Sequence, residues 1–83
     1  MEDRLLVDLR DVFREVFNAP TLDVHPGLTL LDIENFDSLK RIELMVSVES
    51  AFHVRLKSSE MSKVEHVSTL IDLLRARLGD QNG

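Results

Sequence analysis

The reading of this chain turns on Asn35-Phe36-Asp37-Ser38-Leu39-Lys40-Arg41-Ile42-Glu43-Leu44. A long loop containing Pro26-Gly27 ends here, and a strongly helical run to Phe52 begins. The Ser38 hydroxyl therefore sits at a helix N-terminus, within reach of water and partners. Ser or Asp at such a boundary accepts a hydrogen bond from the first backbone N–H groups of the helix, worth about 1 kcal/mol, and capping alone would explain both residue types. The surface around Ser38 asks for more. Projected at about 100° per residue, Leu44, Met45, Val48 and Phe52 gather on one side of the run, and Leu39, Ile42 and Val46 form a second strip beyond Ser38. That apolar arc is wider than one buried face. Either the helix is sandwiched between two others, or the second strip faces a ligand or partner.

Toward the N-terminus, Leu5, Leu6, Leu9, Val12, Phe13, Val16 and Phe17 recur at three-and-four spacing and predict a first helix over about 3–17. Pro20 stops it, because proline cannot continue a helix and pushes the residue before it out of the α region. Residues 21–37 then form a loop longer than compact domains usually hold without a functional reason. Its Leu22, Val24, Leu28, Leu30, Leu31 and Ile33 are expected to pin it across the helices, with a short helical turn near 29–33.

Toward the C-terminus, His53-Val54-Arg55-Leu56 reads locally as a strand. With no second strand to pair with it, a crossing segment that buries Val54 and Leu56 is the better reading. A serine-capped short helix is expected over about 59–64. A last helix over 67–78 places Leu70, Ile71, Leu73, Leu74 and Leu78 at helical spacing, with Gly79 closing it and 79–83 frayed. Residues 1–83 thus read as one all-α domain with three main helices, one short third helix and a long first loop.

Composition narrows the function classes. The chain has no cysteine, which excludes a disulfide framework or a thiolate metal site and suits a reducing compartment. The net charge is −5, the Lys and Arg residues are scattered, and Trp and Tyr are absent, so nucleic acid is a poor partner. No basic leader precedes an apolar stretch, and no window approaches a membrane span; the expectation is a cytoplasmic monomer without membrane insertion. A hydrolase built on Ser38 would need an oxyanion hole and a pocket that short helices offer poorly. His25, His53 and His66 lack the spacing of metal ligands.

With Phe36-Asp37-Ser38-Leu39 opening a helix after a long loop, Glu43-Leu44 a turn later, and Phe52 and Val54 at its close, the chain resembles the acyl carrier proteins over nearly its whole length. Asp-Ser-Leu alone is weak evidence, but within this arrangement it is specific. The resemblance implies an acyl-carrier-like four-helix bundle in which Ser38, flanked by Asp37 and Leu39, carries a 4′-phosphopantetheine arm transferred from coenzyme A by a magnesium-dependent phosphopantetheinyl transferase. It further implies a non-catalytic protein that holds acyl intermediates as thioesters for an acyl-loading ligase or acyltransferase and for a ketosynthase or other acyl-processing enzymes of fatty-acid, polyketide or related biosynthesis. A peptidyl or aminoacyl carrier of nonribosomal-type synthesis and a non-carrier helical adaptor are the alternatives.

Two positions depart from the family pattern. Asn35 stands where glycine is common, and asparagine tolerates left-handed backbone. Lys40-Arg41 stands where an acidic residue is common, although cations oppose the positive end of the helix dipole. Carriers of fatty acid synthesis dock through an acidic second helix, and here Glu43 and Glu49 remain of it. Lys40, Arg41, Ile42, Glu43, Val46 and Glu49 are therefore the expected docking residues of a specialised, stand-alone carrier. Leu39, Ile42 and Val46, with Leu56 and Met61, could shelter an acyl chain between the second and third helices, or could pack the short helix.

Overall fold

The spacing of apolar residues sets the first element. In the computed structural model, which describes residues 4–82 and the side chains of 4–78, α1 spans Arg4–Val16 and buries Leu9, Val12 and Phe13. The helix closes before Pro20. Asn18 takes a left-handed backbone (φ 50°), and the Ala19 N–H reaches back to the Arg14 carbonyl at 2.9 Å, the wrap by which a left-handed residue satisfies the last carbonyls of a helix.

The loop that follows is held by backbone pairing. A tight turn joins the Leu28 N–H to the His25 carbonyl around Pro26-Gly27, at 3.0 Å, and a 3-10 turn covers Leu30–Asp32. Thr29 forms an isolated antiparallel bridge with His66. The flanking bonds run from the Leu30 N–H to the Glu65 carbonyl (2.8 Å), from the Val67 N–H to the Leu28 carbonyl (2.9 Å) and from the Ser68 N–H to the Pro26 carbonyl (2.9 Å). This staple also supplies acceptors for N–H groups at the start of the last helix, which lack intrahelical partners. Val24, Leu30 and Ile33 reach the core as expected, but Leu31 is 71% exposed. Neighbours in a 3-10 turn diverge by about 120°, so Leu30 and Leu31 cannot both face inward.

α2 spans Ser38–Phe52 and α3 Ser58–Met61. Between them residues 53–57 form the expected crossing segment, with His53 left-handed (φ 56°) and Val54 and Leu56 buried. α3 is shorter than the expected 59–64. No serine caps it: Lys57 holds the capping position, and its N–H donates to Glu60 Oε1 at 3.1 Å.

α4 spans Val67–Asn82 and buries Val67, Leu70, Ile71 and Leu74. It runs through Gly79, which corrects the expected stop and frayed tail over 79–82. A glycine ends a helix where it adopts positive φ, and no described glycine does so. The expectations for Asp3 and Gly83 lie outside the described residues. The four helices pack their apolar stripes, together with Val24, Leu30 and Ile33 of the loop, into one hydrophobic cluster. This is the expected all-α bundle.

Candidate functional site

The loop reaches Ser38 through three residues with separate tasks. Asn35 has φ 70°, the left-handed geometry that asparagine adopts at small cost. Phe36 anchors the turn. Its N–H bonds the Ile33 carbonyl at 3.1 Å, and its ring lies 6.1 Å from that of Phe17, which in turn lies 6.0 Å from Phe13 in the core. Asp37 is extended (φ −150°) and caps α2, with Oδ1 accepting the Lys40 N–H at 2.8 Å. Capping therefore falls to Asp37, and Ser38, the first residue of α2, is exposed.

The apolar arc of α2 divides sharply. Leu44 and Val48 are fully buried, whereas Leu39, Ile42 and Val46 are 63%, 54% and 55% exposed. Ile42 and Val46 border an open groove against α1, together with Glu15, Val16 and Ser47. The helix is thus packed on one side only, and its second strip faces outward.

Lys40, Arg41 and Glu49 of the expected docking charges turn inward, and Glu43 stays exposed as the partner of Lys40. Lys40 Nζ donates to the Val16 carbonyl and pairs with Glu43 Oε2, both at 3.2 Å. Lysine here neutralises the negative end of α1. Arg41 Nη1 donates to the Met61 and Val64 carbonyls, each at 2.7 Å, and the guanidinium sits 5.0 Å from the Phe36 ring centroid. Glu49 Oε2 accepts the Leu56 N–H at 2.9 Å and so fixes the crossing segment. All four docking charges are engaged within the chain; of the expected docking residues, Ile42 and Val46 offer open apolar surface.

The residues expected to shelter an acyl chain are not brought together. Leu56 and Met61 lie in the core at 8% and 1% exposure, whereas Leu39, Ile42 and Val46 are at the surface. On the far flank of α3, Arg77 of α4 donates to the Glu60 carboxylate and, at 3.1 Å, to the Arg55 carbonyl. The Arg77 hydrogen bond, with help from the Lys57 N–H, holds the Glu60 carboxyl below the usual carboxylate range. Among the described residues no cluster of metal-ligating side chains occurs, and no helix is long and apolar enough to cross a membrane.

The sequence reading missed the inward use of Lys40, Arg41 and Glu49. Lys40 and Arg41 meet backbone carbonyls 24, 20 and 23 residues away, separations that leave no local pattern. The Phe36–Phe17 contact had a signal in the placement of an aromatic just before Asp37.

Comparison with known proteins meets this geometry. The family model described as "Phosphopantetheine attachment site" matches residues 7–74. An acyl carrier protein of Acidothermus cellulolyticus is 30% identical over 73 residues, covering 88% of this chain and 87% of that protein. The polyketide-8 synthase acyl carrier protein 2 of Streptomyces avermitilis is 26% identical over 72 residues, covering 87% and 83%. The solution structure of holo acyl carrier protein from Geobacter metallireducens aligns with a TM-score of 0.85 at 28% identity, over 95% of this chain and 91% of that one. With the matched residues spanning most of α1, the loop, Ser38, α3 and the first half of α4, the chain belongs to the acyl carrier protein family, whose members are non-catalytic carriers of covalently attached phosphopantetheine.

Proposed function

We propose that Ser38 is the attachment residue, and that this protein holds acyl intermediates as thioesters and delivers them to partner enzymes of fatty-acid, polyketide or related biosynthesis. The observation that carries the reading is the division of labour at the start of α2: Asp37 caps the helix, and Ser38 is exposed. The residues suit the group. Asn35 and Phe36 fix the approach to Ser38, and the N-terminus of a 15-residue helix favours a phosphate at its first residue.

In the transfer reaction Ser38 Oγ gives up its proton to a base of the transferase or to solvent and bonds to the phosphorus nearer the pantetheine. The pyrophosphate P–O bond of coenzyme A breaks, 3′,5′-adenosine bisphosphate leaves, and a phosphodiester remains on Ser38. The arm supplies a thiol that this cysteine-free chain lacks. Tethering then raises the effective concentration of the cargo at each docked enzyme. The partners are a phosphopantetheinyl transferase, an acyl-loading ligase or acyltransferase, and a ketosynthase or other acyl-processing enzyme. The engaged charges of α2 support a specialised carrier rather than one read by an acidic helix. Similarity to the polyketide synthase acyl carrier protein of Streptomyces supports a polyketide setting, and similarity to the other acyl carrier proteins a general carrier role.

Intact-mass measurement after incubation with coenzyme A, magnesium and a broad-specificity phosphopantetheinyl transferase tests the assignment. The wild-type chain should gain one phosphopantetheine mass and Ser38→Ala none. An unchanged wild-type mass would point to a helical adaptor; a modified alanine variant would place the arm elsewhere.

A further inference from the structure

α3 is only four residues long and is gripped from both sides by arginines. Arg77 of α4 holds Glu60 and the Arg55 carbonyl on one flank, and Arg41 of α2 holds the Met61 and Val64 carbonyls on the other. The Arg41 grip is the more closed. One nitrogen reaches both carbonyls at 2.7 Å, the guanidinium is partly buried, and its charge lies over Phe36, two residues before Ser38. Arg41 thus ties three things together: α2, the last turn of α3 and the loop that presents the serine. Leu56 and Met61, the latter bonded to Arg41 through its carbonyl, are packed in the core.

An acyl chain entering between α2 and α3 has to part these elements. Parting them strips two charge-assisted hydrogen bonds, one from the Met61 carbonyl at the end of α3, where replacement donors are scarce, and one from the Val64 carbonyl just beyond it. Lysine at this position would be a poorer lock, because an ammonium could bond the two carbonyls but has no planar cation to lay on the Phe36 ring at the same time. We propose that Arg41 is a specificity-determining residue that bars the seam between α2 and α3 to acyl cargo, so that this carrier keeps its cargo outside the core. The inference rests on Ser38 being the attachment site, and it assigns Arg41 a task separate from attachment.

The test loads wild type, Arg41→Met and Arg41→Lys from acetyl-coenzyme A and octanoyl-coenzyme A with a broad-specificity phosphopantetheinyl transferase. Intact mass confirms loading first; failure there counts against Ser38 and not against the lock. Melting temperature and the methyl NMR signals of Leu56 and Met61 are then compared between the two cargoes. A ligand that enters the folded core stabilises it. In the wild type the octanoyl and acetyl forms should melt within about 1 °C of each other, with both methyl signals unmoved. In Arg41→Met the octanoyl form should gain several degrees over the acetyl form and shift the Leu56 and Met61 signals, with Arg41→Lys between the two. A cargo-dependent gain in the wild type overturns the proposal, whether or not the variants fold. So does a folded, loaded Arg41→Met whose two cargoes give the same melting temperature and the same spectra.

Discussion

Leu44 and Val48 on one side of α2, and Leu39, Ile42 and Val46 on another, are aliphatic side chains within one helix, yet the first pair is sealed in the core and the second set is more than half exposed. Packing explains the first pair. The second set remains as an apolar strip beginning beside Ser38, on a helix whose Lys40, Arg41 and Glu49 hold other segments of the chain and whose Glu43 pairs with Lys40 at the surface. The contrast teaches that helix amphipathicity measures how much apolar surface a helix carries, not what covers it. Here one strip holds the bundle together, and the other is left for whatever meets the protein near Ser38, the proposed attachment residue.

The comparison breaks most visibly by truncation. Leu44→Ala should lose about 2–5 kcal/mol of stability, whereas Ile42→Ala should stay within about 0.5 kcal/mol of wild type; urea denaturation of both variants measures the gap. If Ile42→Ala destabilises as Leu44→Ala does, the second strip is core after all. At the point where both strips begin, Asp37→Ala should cost about 1 kcal/mol through loss of the cap on the Lys40 N–H. Melting temperature reads that loss, and Asp37→Asn should recover much of it, since asparagine also caps well.

The smallest effect lies on the far flank of α3. Arg77 holds the Glu60 carboxyl below its usual range, so the ionised form is favoured by folding. Its contribution is present above the unfolded value and is lost as pH falls through the lower folded value. The pair is surface-exposed enough for solvent screening to keep its contribution small. Arg77→Met should lower stability slightly near neutral pH, and the gap should narrow in acid to what the Arg55 carbonyl bond contributes; a constant difference across an acid titration would show that the pairing with Glu60 contributes nothing.

Much of the bundle was legible in the chain because its signals are local. The apolar spacing of α1, α2 and α4 predicts their faces, and the lone strand-like run at 53–56 has no partner and so becomes a crossing. Asn35 reads as a tolerated left-handed turn and is one. The site itself was legible as Asp37-Ser38 at the mouth of a helix, although the geometry gives the cap to Asp37. What escaped was non-local. That Lys40 belongs to the end of α1 and Arg41 to the end of α3 depends on side chains crossing between elements. An adjacent basic pair against a helix dipole looked like an electrostatic cost, whereas each member satisfies a carbonyl elsewhere. Gly79 misled for a related reason, since glycine permits a helix stop without requiring one.

The staple between Thr29 and His66 has a bearing on the order in which the molecule matures. The loop leading to Ser38 takes its backbone partners from the segment that starts α4, so it cannot settle until that later stretch of chain has been made and has arrived, and distant pairings of this kind close slowly. During synthesis the serine leaves the ribosome well before its surroundings are set. A transferase that reads the finished loop would therefore modify completed chains in preference to nascent ones.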